Sequence, residues 1–228
     1  MNQAHLAFPE LAEIIINELT DINISLTSPL LKTKVLAHRI QNRELLLWTN
    51  LEVAGYTDLE DVPEYRKTTG DIYSDYRTSR FIATDQYVAV NGDQELFRIY
   101  MTQGIQTLET YKSAFIGQTF EGEDKKALVA NLSAQHENFQ ISRIYKKIPS
   151  NFISEILTHV RTKLLDVLLE MEEKYGYISN IKELKAHNSA ITHIVQTNIH
   201  NFGDANLINA APHSKIIADI KTSKNNLS

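Results

Sequence analysis

Carboxylates crowd the stretch "LEVAGYTDLEDVPEYRKTTGD", residues 51–71. Glu52, Asp58, Glu60, Asp61, Glu64 and Asp71 lie there beside Tyr56, Tyr65, Arg66 and Lys67. Two or three carboxylates held together can share general acid and base roles or bind magnesium, as in a metal-dependent nuclease. Asp58, Glu64 and Asp71 are the candidates for that chemistry. A second reading is structural. Arg66 could fold back onto Glu52, or onto carbonyls near Gly55 at a helix end, because cations suit helix C-termini. Tyr56 and Tyr65 would pack their rings and direct their hydroxyls to polar partners. Pro63 would stiffen the return. On this reading Trp48, Glu52, Gly55, Tyr56, Pro63, Tyr65 and Arg66 form a clamp, and the remaining acids form a solvated loop.

Other chemistries find less support. His187, His193, His200 and His213 are spaced by six, seven and thirteen residues, unlike the i, i+4 pair of a helical zinc site. No metal or other cofactor is assigned. The chain has no cysteine, which excludes disulfides and thiolate catalysis. It has no G-x-S-x-G and no phosphate-binding glycine loop, and only eight glycines in all. The formal net charge of −5 provides no global basic field, so nucleic acid is disfavoured as a direct ligand. The pairs Lys125-Lys126 and Lys146-Lys147 read as surface.

The elements that must position these residues begin with three helices over 6–56. Leu11, Ile14, Ile15 and Leu19 follow Pro9. Leu31, Val35, Leu36 and Ile40 follow Ser28-Pro29, with Ser28 as N-cap. Leu45, Leu46, Trp48, Leu51 and Val53 follow a capping Asn42 and end at Gly55. From Val62 to Phe120 the texture is mixed, with a strand at "QYVAV", a helix in "IYMTQGIQTLETYKSA", and turn signals at Asn91-Gly92-Asp93 and Gly122. "NFQISRIYKKI" reads as another strand. Residues 149–176 predict the longest helix. Ile153, Ile156, Leu157, Val160, Leu164, Val167, Leu168, Met171 and Tyr175 fall on one stripe, with Ser150 or Asn151 as cap and Gly176 as stop.

After Leu184 the composition shifts toward asparagine and small residues. Five lysines oppose three acids over 182–228, so this segment carries +2 and the rest −7. Ile191, Val195 and Ile199 read as one face of a strand, and Phe202-Gly203-Asp204 as part of a turn. The expected architecture is α+β, with an N-terminal helical layer, a small middle sheet, a long core helix and a strand-forming tail. Residues 1–180 form one domain, and 181–228 an Asn-rich tail that mediates assembly or partner docking. The N-terminus lacks the positive region of a signal peptide, and no stretch reaches the ~20 apolar residues of a membrane helix. The expectation is a cytoplasmic protein without a membrane partner.

Two blocks carry a family resemblance. The first is Trp48-x-x-x-Glu52-x-x-Gly55-Tyr56, followed by Pro63-x-Tyr65-Arg66. The second is "ILTHVRTKLLDVLLE", Ile156 to Glu170. Together, and in this order, they resemble the AbiTii domain of bacterial abortive-infection proteins, over roughly residues 6–175. The resemblance implies phage defence and a partner-gated or multi-gene system, and it brings no catalytic residues. It leads to a component that acts by homo-oligomerisation or by binding a co-encoded defence protein. The alternative is a toxin-like effector enzyme using the acidic 58–71 loop.

Overall fold

The computed structural model describes residues 7–90, 92, 94–111, 117–135 and 140–200, apart from the side chains of 131, 134, 135 and 182. The architecture is α+β. The described residues divide into two compact units. One comprises those up to Asn50 and from Val160 onward, and the other is Leu51–His159. The boundaries fall inside helices α3 (Arg43–Ala54) and α7 (Phe152–Tyr175).

The first unit is helical. Helix α1 (Phe8–Thr20) starts with Pro9 in its first turn and buries Phe8, Leu11, Ile15 and Leu19. Arg161, on α7, closes its far end by donating to the carbonyls of Leu19 at 2.7 Å and Ile24 at 2.9 Å. A guanidinium suits this place because the last carbonyls of a helix lack internal donors. Helix α2 (Thr27–Ile40) begins one residue before the expected Ser28 cap. The Ser25 hydroxyl accepts from the Thr27 amide, while the Ser28 hydroxyl donates to Glu18. Asn42 does cap α3, its Oδ1 accepting from the Leu45 amide at 2.9 Å.

The expected strand through Ile191, Val195 and Ile199 is corrected by the structure. These residues lie in helix α9 (Asn188–Val195) and a π-helical turn, Gln196–His200, that follow the short helix α8 (Ile181–Leu184). A spacing of four fits one strand face and one helix stripe equally well. Ile194 decides between them. It is buried like Ile191, Val195 and Ile199, and the set 191, 194, 195, 199 is the i, i+3, i+4 pattern. Polar links tie this segment into the unit. The Asn42 amide donates to Asn188 and Thr192 at 2.9 and 3.0 Å, Lys163 donates to the Ile199 carbonyl at 2.7 Å, and Asn198 donates to Glu170. Phe202 and Gly203, the other expected assembly residues, lie outside the described residues.

The second unit holds two sheets. Strands β1 (Lys67–Thr69) and β4 (Arg98–Tyr100) pair antiparallel. A four-stranded antiparallel sheet has the order β3 (Ile82–Tyr87), β2 (Ile72–Arg77), β6 (Gln140–Lys147), β5 (Gly117–Thr119). The "QYVAV" strand is met only at Gln86 and Tyr87, and the helix predicted from residue 99 starts only at Ile105, after β4, as α5 (Ile105–Tyr111). Helix α4 (Gln94–Phe97) is a single turn. Helix α6 (Gly122–Gln135) was not expected beyond a turn at Gly122. It has few apolar residues to betray it, and these meet the sheet. Leu128 joins Ile72, Val88, Phe120 and Ile144 in a cluster against which Val129 and Leu132 pack.

Helix α7 keeps its expected stripe. Ile156, Val160, Leu164 and Leu168 are all fully buried. Among the described residues no helix is long and apolar enough to cross a membrane. Replacing Leu164 with alanine should lower unfolding free energy by about 2–5 kcal/mol, as expected for a core leucine that leaves a cavity. Urea denaturation measures it. A loss under about 0.5 kcal/mol, the range of surface changes, would place the stripe elsewhere.

Candidate functional site

The sequence motif converges on one carboxylate. Glu52, two residues from the end of α3, is fully buried and is the one buried acid among the described residues. An isolated charge there would be costly, so the chain must supply donors. Three arrive. The hydroxyls of Tyr56 and Tyr65 both donate to Oε1, at 2.6 and 2.5 Å. Arg66, itself fully buried, donates from Nη2 to Oε2 at 2.5 Å.

Local sequence explains how they get there. Helix α3 ends at Gly55, whose φ of +92° turns the chain in a way that L side chains resist. A Cβ at Gly55 would lie 2.5 Å from the Thr102 carbonyl, and one at Gly104 would collide with the Val53 carbonyl. Two glycines thus let the helix end lie against residues 102–104, where the Tyr56 amide donates to the Thr102 carbonyl at 2.8 Å. The chain then loops through exposed Asp58, Glu60 and Asp61. Pro63 opens a 3₁₀ turn, Glu64–Arg66, closed by the Arg66 amide on the Pro63 carbonyl at 2.9 Å. That turn presents Tyr65 and Arg66 to Glu52.

Arg66 has a second task. Its Nη1 donates to the carbonyls of Gln103 at 2.7 Å and Met101 at 3.1 Å, while its own carbonyl accepts from the Met101 amide. The carbonyls it satisfies are therefore those of the segment after β4, which lies against Gly55, and not those of the last turn of α3. Its guanidinium also lies 5.0 Å from the centre of the Tyr56 ring, a cation–π distance. Arg66 Nε is buried without a hydrogen-bond partner among the described residues. Burial opposes the Arg66 charge, but Glu52 and the tyrosines outweigh it and hold its pKa above the ordinary value. Burial, reinforced by the Glu52 charge, raises the Tyr56 pKa far above that of a free tyrosine, so Tyr56 remains a donor.

The other acids are placed differently. The Asp58 carboxylate accepts from the Glu60 amide at 3.0 Å, as in an Asx turn. Glu64 pairs with Lys67 at 2.7 Å on the surface. Asp71 is exposed, and its carbonyl accepts from the Lys147 amide. Among the described residues no group of three or more acids or histidines is placed to hold a metal ion. His187 packs its ring on Tyr175 at 5.0 Å, and His200 lies 3.7 Å from Glu44. Trp48, one helical turn before Glu52, is buried. Sequence reasoning missed the partner segment 101–104. Its contribution is the carbonyls of Met101, Thr102 and Gln103 and a close approach, and only Gly104 leaves a mark of it in the sequence.

The AbiTii family model matches residues 10–197. The chain belongs to the AbiTii family. The match includes helix α9 and reaches well past the two motif blocks, and it connects the chain with abortive infection and phage defence. No curated protein and no solved structure matches the chain. Within the AbiTii chain, Glu52, Tyr56, Tyr65 and Arg66 of this block form one buried, hydrogen-bonded ion pair.

Removing one partner of a buried pair strands the other charge. Arg66→Ala should therefore cost about 3–5 kcal/mol. Tyr65→Phe, which deletes one of three donors to a charged group, should cost about 1.5 kcal/mol. Chemical denaturation of both variants checks this. An Arg66→Ala protein of wild-type stability would contradict the geometry.

Proposed function

We propose that this AbiTii protein serves phage defence as a non-catalytic interaction module, working through self-association or through a co-encoded defence protein. The observation that carries the reading is the enclosure of Glu52. Both of its oxygens are occupied by internal donors in a fully buried setting. A general base needs a lone pair that substrate can reach, and a metal ligand needs one that an ion can reach. The family's hallmark residues are spent on joining α3 to the 64–66 turn and to residues 101–103. The exposed acids Asp58 and Glu64 make local contacts of the kind that order a surface loop, and Asp71 is held through its backbone carbonyl.

Support for binding comes from the helical unit. Leu31 and Val35, one turn apart on α2, are 45 % and 47 % exposed, and Leu47 on α3 is 58 % exposed. Paired apolar side chains at i, i+4 on an exposed helix face suit a partner helix or a second copy. The Asn-rich segment after His200 is the other candidate for assembly. Residues 188–200 belong to the packed helical unit, so an informative truncation begins at Asn201.

Two experiments test the reading. Asp58→Asn, Glu64→Gln and Asp71→Asn should each leave protection in plaque assays within a few-fold of wild type. Abolished protection in folded variants would favour an enzyme using the acidic loop. Light scattering of the chain with and without residues 201–228, alone and with the neighbouring gene product, should show reduced assembly on truncation. Unchanged assembly in both conditions would take that segment out of the mechanism.

A further inference from the structure

The four-stranded sheet has two unlike faces. Cross-strand partners point to the same side, so the register sorts them. Ile72, Ser74, Ile144 and Lys146 share the side that meets the apolar cluster of Phe120 and Leu128. Tyr73 lies on the opposite side, directly across from Tyr145 on β6 and Tyr87 on β3. Three tyrosines therefore stand side by side across three strands. Tyr73 and Tyr145 are near-parallel at 6.2 Å, and Tyr73 meets Tyr87 edge-on at 6.0 Å.

Cations are interleaved with these rings. The Arg143 guanidinium lies 4.2 Å from the Tyr145 centroid, and the Lys147 amine 4.6 Å from that of Tyr73. The two acids on this face are engaged internally. Asp85 accepts from the Tyr145 hydroxyl at 2.7 Å and from Lys147 at 2.8 Å, and Asp75 accepts from the Asp85 amide at 2.8 Å. Arg77 and Arg143 remain exposed, with Arg80 in the β2–β3 turn. Tyr87 is 63 % exposed and Ile82 70 %. Of the three rings only Tyr87 is exposed, Tyr145 being 2 % exposed, so the face pairs one accessible ring with an excess of arginine, although the chain as a whole is acidic.

We propose that this face binds single-stranded nucleic acid, with a base stacked on Tyr87 and backbone phosphates drawn to Arg77 and Arg143. Whole-chain charge speaks against a duplex-binding field, but single strands are held by base stacking on aromatic side chains together with a local cationic track. A second copy pairing at the β3 edge fits less well. Asp85 interrupts that strand with a φ of +55°, and such irregularities blunt an edge against strand addition. The proposal is independent of how the helical unit assembles.

Fluorescence anisotropy of the full chain with labelled 12-nucleotide oligo-dT and oligo-U tests it, with a 12-base-pair DNA duplex alongside. Saturable binding of at least one single strand is expected, with the duplex weaker. Tyr87 is mostly solvent-exposed, so Tyr87→Ala keeps the fold, and it should weaken binding by about five- to a hundredfold. Arg77→Ala and Arg143→Ala should weaken it and flatten its salt dependence. Lys126→Ala, on the exposed surface of α6, should leave it unchanged. No saturable binding up to about 100 µM, the weak end of non-specific association, overturns the proposal. So does equal binding of the duplex, or a loss at Lys126 matching that at Arg77.

Discussion

A single buried carboxylate organises the Leu51–His159 unit. Placing Glu52 in the interior obliges the chain to bring compensating donors to it, since an unpaired buried charge would cost several kcal/mol. The donors come from two backbone contexts: Tyr56, the residue after the Gly55 stop, and the 3₁₀ turn Glu64–Arg66, which supplies both Tyr65 and Arg66. Because Arg66 spans from Glu52 to the Met101 and Gln103 carbonyls, the same side chain joins the end of α3 to the segment after β4. Strand β1 starts at Lys67, the next residue, and pairs with β4, so sheet register and ion pair reinforce each other. A guanidinium can do this where an ammonium cannot. Its planar fork serves a carboxylate on one arm and carbonyls on the other.

The helical unit is held by a different device, in which polar side chains terminate helices from a distance in sequence. Arg161 satisfies carbonyls in the last turn of α1 and just beyond it, Lys163 satisfies one in the π-helical turn, and Asn42 both caps α3 and holds α9. Lys163 is 4 % exposed, which is unusual for a lysine and is accounted for by its carbonyl partner. These links make residues 188–200 part of the packed unit.

Much of this was readable from the chain, and the failures share a cause. The stripe of α7, the Asn42 cap, the Gly55 stop and the meeting of Glu52 with Arg66 follow from periodicity, capping chemistry and charge, all local properties. The 191–199 segment is ambiguous in sequence because a spacing of four satisfies both periodicities, and the burial of Ile194 distinguishes them only after folding. Helix α6 is faint in the sequence because its buried stripe rests on few residues. The carbonyls that receive Arg66 are invisible in sequence, since every residue has one. The tyrosines aligned across β3, β2 and β6 depend on register, which no short motif encodes.

The claim that the family motif is a structural clamp rests on the coupling between Glu52 and Arg66. A double-mutant cycle with Glu52→Gln, Arg66→Met and the pair, followed by urea denaturation, measures it directly. The double variant should lose clearly less stability than the two single variants summed, with a coupling of about 1 kcal/mol or more. Additive losses within about 0.5 kcal/mol would mean that the two residues act independently, and would contradict the clamp.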